Sequence, residues 1–361
     1  MSESMALVGL DVHRAQSVAA VLDPVTGELR VERLRGSADV VVPGFLEALE
    51  RPVRAVYEAG PTGFALARVA VERGLDVRVI APGSIPKAPG DRVKTDRRDA
   101  MRLARLFAAG ELSFVFVPSE EQERFRDLVR CIDDARKDLM RARHRLSKFL
   151  LRRGERFPGR AWTAPHEQWL RTRSFEDALS RATLIDYCCA VDGLVARRKA
   201  LVGVLEQAVP QSSHAAVIAR LRCFRGIDTL TAAGLCAEVS SFERFAKPTL
   251  LSGFLGIVPS EYTSDSKRVQ GSITKAGPTH ARRLLVEAAH HYRYRPAIGV
   301  ALAGRQVGQD PRVVAVAWRA QRRLHARWAH LAAERGKPAG TVAVAVAREL
   351  AAFCWEAATL N

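Results

Sequence analysis

Hydrophobic and polar positions follow three successive patterns along the chain. In the first, MALVGLD at 5–11 and QSVAAVL at 16–22 are short Val- and Leu-rich runs flanking a polar segment, as in a strand pair, and Arg30 to Leu34 offers a third strand. An amphipathic stretch from about Val40 to Leu49 precedes the strand-like VRAVYE at 53–58, and a helical stretch from about Thr62 to Arg73 precedes the strand-like DVRVIAP at 76–82. Strands first in a hairpin and then alternating with helices predict an α/β layer.

From Glu120 to Arg153 the period changes. Phe125, Leu128, Ile132, Ala135, Leu139, Ala142, Leu146 and Phe149 recur at alternating spacings of three and four, a heptad seam with Arg and Lys outside it. The seam predicts one long helix, closed either within the monomer or in a dimeric coiled coil. Leu184, Cys188, Val191, Val195, Leu201 and Leu205 lie near one face of a second helical stretch that could fold back on it, and RFPGRAWTAPHEQ at 156–168 reads as the connection. The third pattern, from about Ser212, is mostly helical, with a polar, basic, glycine-bearing loop from Ser260 to Pro278.

Charge adds a partner. Lys and Arg number 56 against 39 Asp and Glu, a formal balance of +17 spread along the chain, which suits a folded protein that binds a polyanion, nucleic acid first. The start, MSESMALVGLDVHR, lacks the pattern of a secretory signal, and no uncharged apolar run approaches the ~18 residues a membrane span needs. A cytoplasmic, nucleoid-associated protein with no membrane partner is expected. The six cysteines are scattered without a CxxC spacing, so reduced thiols are expected in place of zinc or disulfides.

Four acids carry the first candidate chemistry. Asp11 closes one apolar strand, Glu58 closes another, and Asp96 and Asp99 lie three apart at the start of the helix in KTDRRDAMRLARLFAAG. Carboxylates at neighbouring strand ends can converge, and an i, i+3 pair shares one helix face. Such a cluster repels itself unless cations fill it, and hard divalent ions suit carboxylate oxygens in phosphodiester cleavage. Asp96 taken alone reads as a helix cap or dipole partner. His13 reads as a solvent-side or structural histidine.

The runs GLDVHR, YEAGPTGFAL and KTDRRDAMRLARL resemble the three blocks of the DEDD-type, RuvC-like N-terminal domain of one family of bacterial insertion-sequence transposases. The resemblance implies an RNase H-like fold in which Asp11, Glu58, Asp96 and Asp99 bind Mg²⁺ or Mn²⁺. LRCFRGIDTLTAAGLCAEVSSFERF and LLSGFLGIVPSEYTSDSKRVQGSITKAGPTHARRLLVEAAHHYR resemble the C-terminal transposase domain of the same family, and the likeness covers nearly the whole chain. PSEYTSDSK matches the segment bearing the family's nucleophilic serine; Ser264 is the aligned residue, Asp265 stands where a glycine is usual, and Ser266 is the alternative. The family further implies a covalent phosphoserine–DNA intermediate, a structured guide (bridge) RNA and a homo-oligomer, dimer or tetramer, acting on double-stranded DNA.

Read from the residues alone, Arg225-Gly226-Ile227 before a helical run is compatible with a helix-hairpin-helix phosphate clamp or with packing. Lys267, Arg268, Lys275, Arg282 and Arg283 form a basic surround for Ser264 and Ser266, and Lys94 and Arg97 flank the acid pair; all are expected to contact nucleic acid. The expected organisation is a RuvC-like α/β domain at 1–117, a long coiled-coil helical middle at 118–210 and a mainly helical, all-α transposase domain at 211–361. Two rival functions remain open: a junction-resolving nuclease that uses water, and a non-catalytic nucleic-acid-binding assembly protein.

Overall fold

β1 (Ala6–Val12) pairs antiparallel with β2 (Gln16–Leu22), and β2 pairs antiparallel with β3 (Leu29–Arg35), so the first three runs form a meander. β4 (Val53–Glu58) and β5 (Asp76–Ile80) then join parallel on the other side of β1, giving the order β3-β2-β1-β4-β5. The computed structural model describes residues 5–49, 52–86, 95–264 and 267–360, with the side chains of 84 and 262–269 left out; Lys94, Asp265 and Ser266 lie outside the described residues.

Alternation along the strands sends side chains to opposite faces. Val8, Leu10, Ala19, Val21, Ala55 and Tyr57 face α1 (Ala38–Glu47) and α2 (Ala65–Glu72), which bury Val42, Leu46, Leu66 and Ala70 against them. The opposite face packs Val18, Ala20, Leu22 and Val56 against Ala100, Leu103 and Ala104 of α3 (Asp96–Ala108). This is the α/β layer expected, with helices on both faces of a mixed sheet.

The chain divides into two compact units, one ending at Ser119 and one beginning at Glu120. The second opens with α4 (Glu120–Arg152), the long helix predicted from the heptads. Seven of the eight seam residues are buried, with Leu128 partly so. The seam closes within the chain: Leu139, Ala142, Leu146 and Phe149 pack with Leu184 and Val191 near the start of α6 (Ala178–Ala208), while Phe125, Val129 and Ile132 share a core with Leu205 near its end. The two helices are therefore antiparallel. Val195 departs from the expected face, being exposed while Leu194 packs inward. The connection is more than a loop, because it contains α5 (Ala164–Arg171), where His166 is buried among the rings of Phe157, Trp162 and Trp169.

The remaining helices are α7 (Ala215–Leu221), α8 (Thr229–Val239), α9 (Pro248–Phe254), α10 (Thr279–Ala289), α11 (Val300–Gln306), α12 (Pro311–Ala329) and α13 (Ala339–Ala358). They share one core with the adjoining ends of α4 and α6, so the apolar interior runs without a break through residue 210. The segment expected as a polar loop is instead an antiparallel hairpin of β6 (Pro259–Ser264) and β7 (Lys267–Ile273).

Candidate catalytic site

Register fixes two of the four acids. Leu10 pairs with Tyr57, so the next positions, Asp11 and Glu58, stand side by side at the ends of parallel strands. Asp11 follows Gly9 by two residues and Glu58 follows Val56 by two, so both carboxylates stand on the face covered by α3. The other two acids lie in the first turn of that helix. Thr95 caps α3, its hydroxyl accepting from the Arg98 amide at 3.3 Å, which leaves the Asp96 carboxylate free of the capping role open to it from sequence.

Close packing of α3 on β1 brings Asp96 to Asp11, while Glu58 and Asp99 fall outside the tight group they form with His13. A Cβ on Gly9 would lie 2.2 Å from the Ala100 carbonyl oxygen, so only glycine allows this approach. Asp11, His13 and Asp96 then offer ligand atoms all within 4.8 Å of one another. His13 Nε2 lies 3.3 Å from Asp11 and 3.5 Å from Asp96, and Gln16 donates to Asp96 at 3.4 Å. Burial pushes the Asp11 carboxyl above its ordinary value; the charge of His13 counters this, and the like charges of Asp96 and Asp99 add to it. A crowded set of hard oxygen donors whose charges repel is the chemistry that a divalent cation relieves. His13 belongs to this cluster, contrary to its reading as a bystander; its placement depends on the β1–β2 turn, where its amide donates to the Gln16 carbonyl.

Ser264 ends β6 and pairs with Lys267 across the tip of the hairpin. The base of the hairpin is clasped by tight backbone contacts. A Cβ on Gly277, at φ +68°, would fall 1.9 Å from the Phe254 carbonyl oxygen, and one on Gly256, at φ +64°, would fall 2.1 Å from that of Ala276. Lys275 holds a left-handed φ of 57° in the same turn, and its amide donates to Gly256. Arg282 completes the clasp by donating to the carbonyls of Leu255 at 2.9 Å and Ala276 at 2.6 Å.

Arg282 and Arg283, expected to contact nucleic acid, also make hydrogen bonds within the fold. Arg283 donates to Asp133 of α4 at 2.9 Å and to Glu287 at 2.7 Å. Asp133 also accepts from Arg136 and Lys137, and the nearby Glu238 of α8 accepts from Arg130 at 2.9 Å and from the Nδ1–H of His280 at 3.4 Å. Burial raises the Glu238 carboxyl, but hydrogen bonds from His280 and Arg130 outweigh it and bring the group down to about 2. No sequence signal marked this network, whose partners come from three separate helices.

Arg225-Gly226-Ile227 turns out to be packing. Arg225 donates to the carbonyls of Tyr294 and Arg295, Gly226 sits against the Ala288 carbonyl, and the Asp228 carboxylate accepts the Thr231 amide at the start of α8. That carboxylate occupies the helix end where a phosphate would have to dock.

Comparison with known proteins decides the family. The model described as "Transposase IS116/IS110/IS902 family" matches residues 218–298, and a DEDD-type transposase model matches residues 8–153. A Sinorhizobium fredii chain named as a transposase is 39% identical over 357 residues, covering 97% of this chain and 87% of its own length. The chain belongs to the IS116/IS110/IS902 transposase family. A second relative, the transposase for insertion sequence element IS1533 of Leptospira borgpetersenii, is 32% identical over 337 residues, covering 91% of this chain and 97% of its own. The transposase is therefore a DNA-recombining enzyme whose partner is DNA, with an N-terminal RuvC-like domain of the class that works with divalent metal. No helix among its described residues is long and apolar enough to cross a membrane.

Proposed function

We propose that the transposase cuts and rejoins double-stranded DNA through a covalent link to Ser264, with Mg²⁺ or Mn²⁺ held by Asp11, Glu58, Asp96 and Asp99. The observation supporting this reading is the approach of Asp11 and Asp96, with Glu58 at the end of the neighbouring strand and Asp99 in the same first turn as Asp96. Divalent cations there would supply Lewis-acid stabilisation of charge on the scissile phosphate and its oxygens. His13 stands between Asp11 and Asp96, within reach of both carboxylates.

For the serine, support comes from the hairpin. Ser264 stands at its tip beside the turn, and a base clasped by Gly256, Gly277 and Arg282 gives that tip a fixed root. In the exchange the Oγ–P bond forms as the phosphodiester P–O bond breaks; the serine gives up one proton and the departing strand's hydroxyl gains one. Attack by a new strand's hydroxyl reverses the step, so the energy of the bond is kept without an external source. Lys267, Arg268 and Lys275 on the hairpin, and Lys94 and Arg97 near the acids, are the phosphate contacts of this reading.

A structured guide RNA from the element, and action as a homo-oligomer, complete the proposal. The balance of +17 suits carrying both nucleic acids, and Leu179, Ile185 and Val204, exposed along α6, offer apolar surface to a second copy. The test uses the protein with end-labelled DNA on denaturing gels. Wild type should form a protein–DNA adduct, Ser264→Ala should bind DNA but form none, and Asp11→Asn should lose cleavage by at least about 100-fold while staying folded. An adduct that survives Ser264→Ala and vanishes in Ser266→Ala moves the nucleophile by two residues. Cleavage without any adduct replaces the serine with water.

A further inference from the structure

Helix α12 presents an outward face that neither the acid cluster nor the hairpin uses. Trp318, Arg319, Arg322, Arg323, Arg327 and His330 recur at helical spacing along it and line, with Glu349 of α13, an open groove of about 1020 Å³. Four guanidinium groups line the groove, and although Glu349, Glu356 and Glu334 pair with Arg323, Arg327, Arg319 and His330, the balance stays positive at Arg322.

Two features separate this face from an ordinary solvated row of charges. The first is Trp318. Of the five tryptophans in the chain, Trp162 and Trp169 pack in the α4–α6 core and Trp328 and Trp355 in the C-terminal core, whereas Trp318 is 37% exposed amid arginines. More than a third of this indole is open to solvent, beside the guanidinium groups of the groove.

The second is that three of the four arginines are held in place. Arg323 donates through Nε to Glu349 at 2.8 Å, Arg327 lies 3.3 Å from the other oxygen of that carboxylate, and Arg319 pairs with Glu356 while its guanidinium stands 5.7 Å from the Phe353 ring centre. Anchoring Arg323 through Nε leaves its terminal NH₂ groups to face the groove. Arg322 is exposed and has no ion pair among the described residues. The helix then continues into a π-helical stretch, His330–Glu334, whose first residue lines the groove.

Ordered guanidinium groups beside an exposed indole match one kind of ligand. Phosphates alone need only charge, and in a duplex the faces of the bases are already stacked on one another. An unpaired strand offers both backbone charge and free aromatic faces. We infer that the α12 groove binds an unpaired stretch of DNA strand, with a base stacked on Trp318 and phosphates on Arg322 and Arg323. Strand exchange by a transposase requires that strands leave their duplex, and this groove would hold one while it is apart.

The experiment measures binding of the full chain to a labelled twelve-nucleotide DNA strand, the same sequence as duplex, and the same sequence as RNA, with chelator present to prevent cleavage. Trp318→Ala should weaken single-strand DNA binding at least about fivefold and leave the duplex unchanged, while Trp318→Phe should keep most of the affinity. Arg322→Ala should weaken binding and lower its salt dependence by about one unit of slope; Arg171→Ala, an exposed charge on α5, serves as control and should do neither. Unchanged single-strand binding in Trp318→Ala, an equal loss on duplex, or a loss confined to RNA overturns the inference.

Discussion

Gly9 of β1 and Ala104 of α3 are packed backbone against backbone: a Cβ on Gly9 would sit 2.4 Å from the Ala104 amide nitrogen. The contact is structural, yet its effect is chemical, because α3 reaches Asp96 and Asp99 toward Asp11 only by lying this close to the sheet.

Gly9→Ala should therefore impair both folding and catalysis. One methyl forces α3 away from β1, an overpacking cost of about 3 kcal/mol, and spreads the acids. Thermal unfolding should show the loss of stability, and Mg²⁺ titration of cleavage should need higher concentrations to reach its midpoint. A variant with wild-type activity and melting temperature would remove Gly9 from this role.

The seam of α4 yields a second expectation. Leu139 and Leu146 are buried against α6 of the same chain, so Leu139→Lys and Leu146→Lys place an ammonium in the core of the monomer. Each should cost about 3 kcal/mol or more and melt the helical region, which circular dichroism would record. A fully folded, merely dissociated protein would be the result expected of a seam between two chains instead.

Acid should loosen the second unit through Glu238. Its folded carboxyl titrates at about 2, below the ordinary 4.5, so the network's contribution is complete above 4.5 and is lost as pH falls toward 2. Glu238→Ala should remove that dependence and cost about 2 kcal/mol at neutral pH, less than for a fully buried pair because Arg130 is half exposed. Denaturant melts of both proteins between pH 2 and 6 measure the difference.

Much of the fold was legible because its signals are local. Near-continuous apolar runs in 5–11, 16–22 and 53–58 report a sheet buried on both faces, and the heptads from Phe125 to Phe149 report a helix whatever they pack against. The acids at strand ends could be found because a charge closing an apolar run is conspicuous. The hairpin escaped notice because PSEYTS and KRVQGSI mix polar, charged and apolar residues without the β-branched or aromatic run that marks a strand. Arg282 and Arg283 read as surface charges because their acceptors, Leu255 and Asp133, stand 27 and 150 residues away. Val195 misled because α6 carries apolar residues on more than one side, Ile185 and Val204 among them.

A seam that α4 closes with α6 makes the long helix independent of dilution. A coiled coil shared between chains loses its partner as concentration falls and unravels by mass action, whereas here the partner is always attached, about fifty residues further along. A newly made chain can complete this fold before it meets another copy, and scarcity limits only what the finished surface later does.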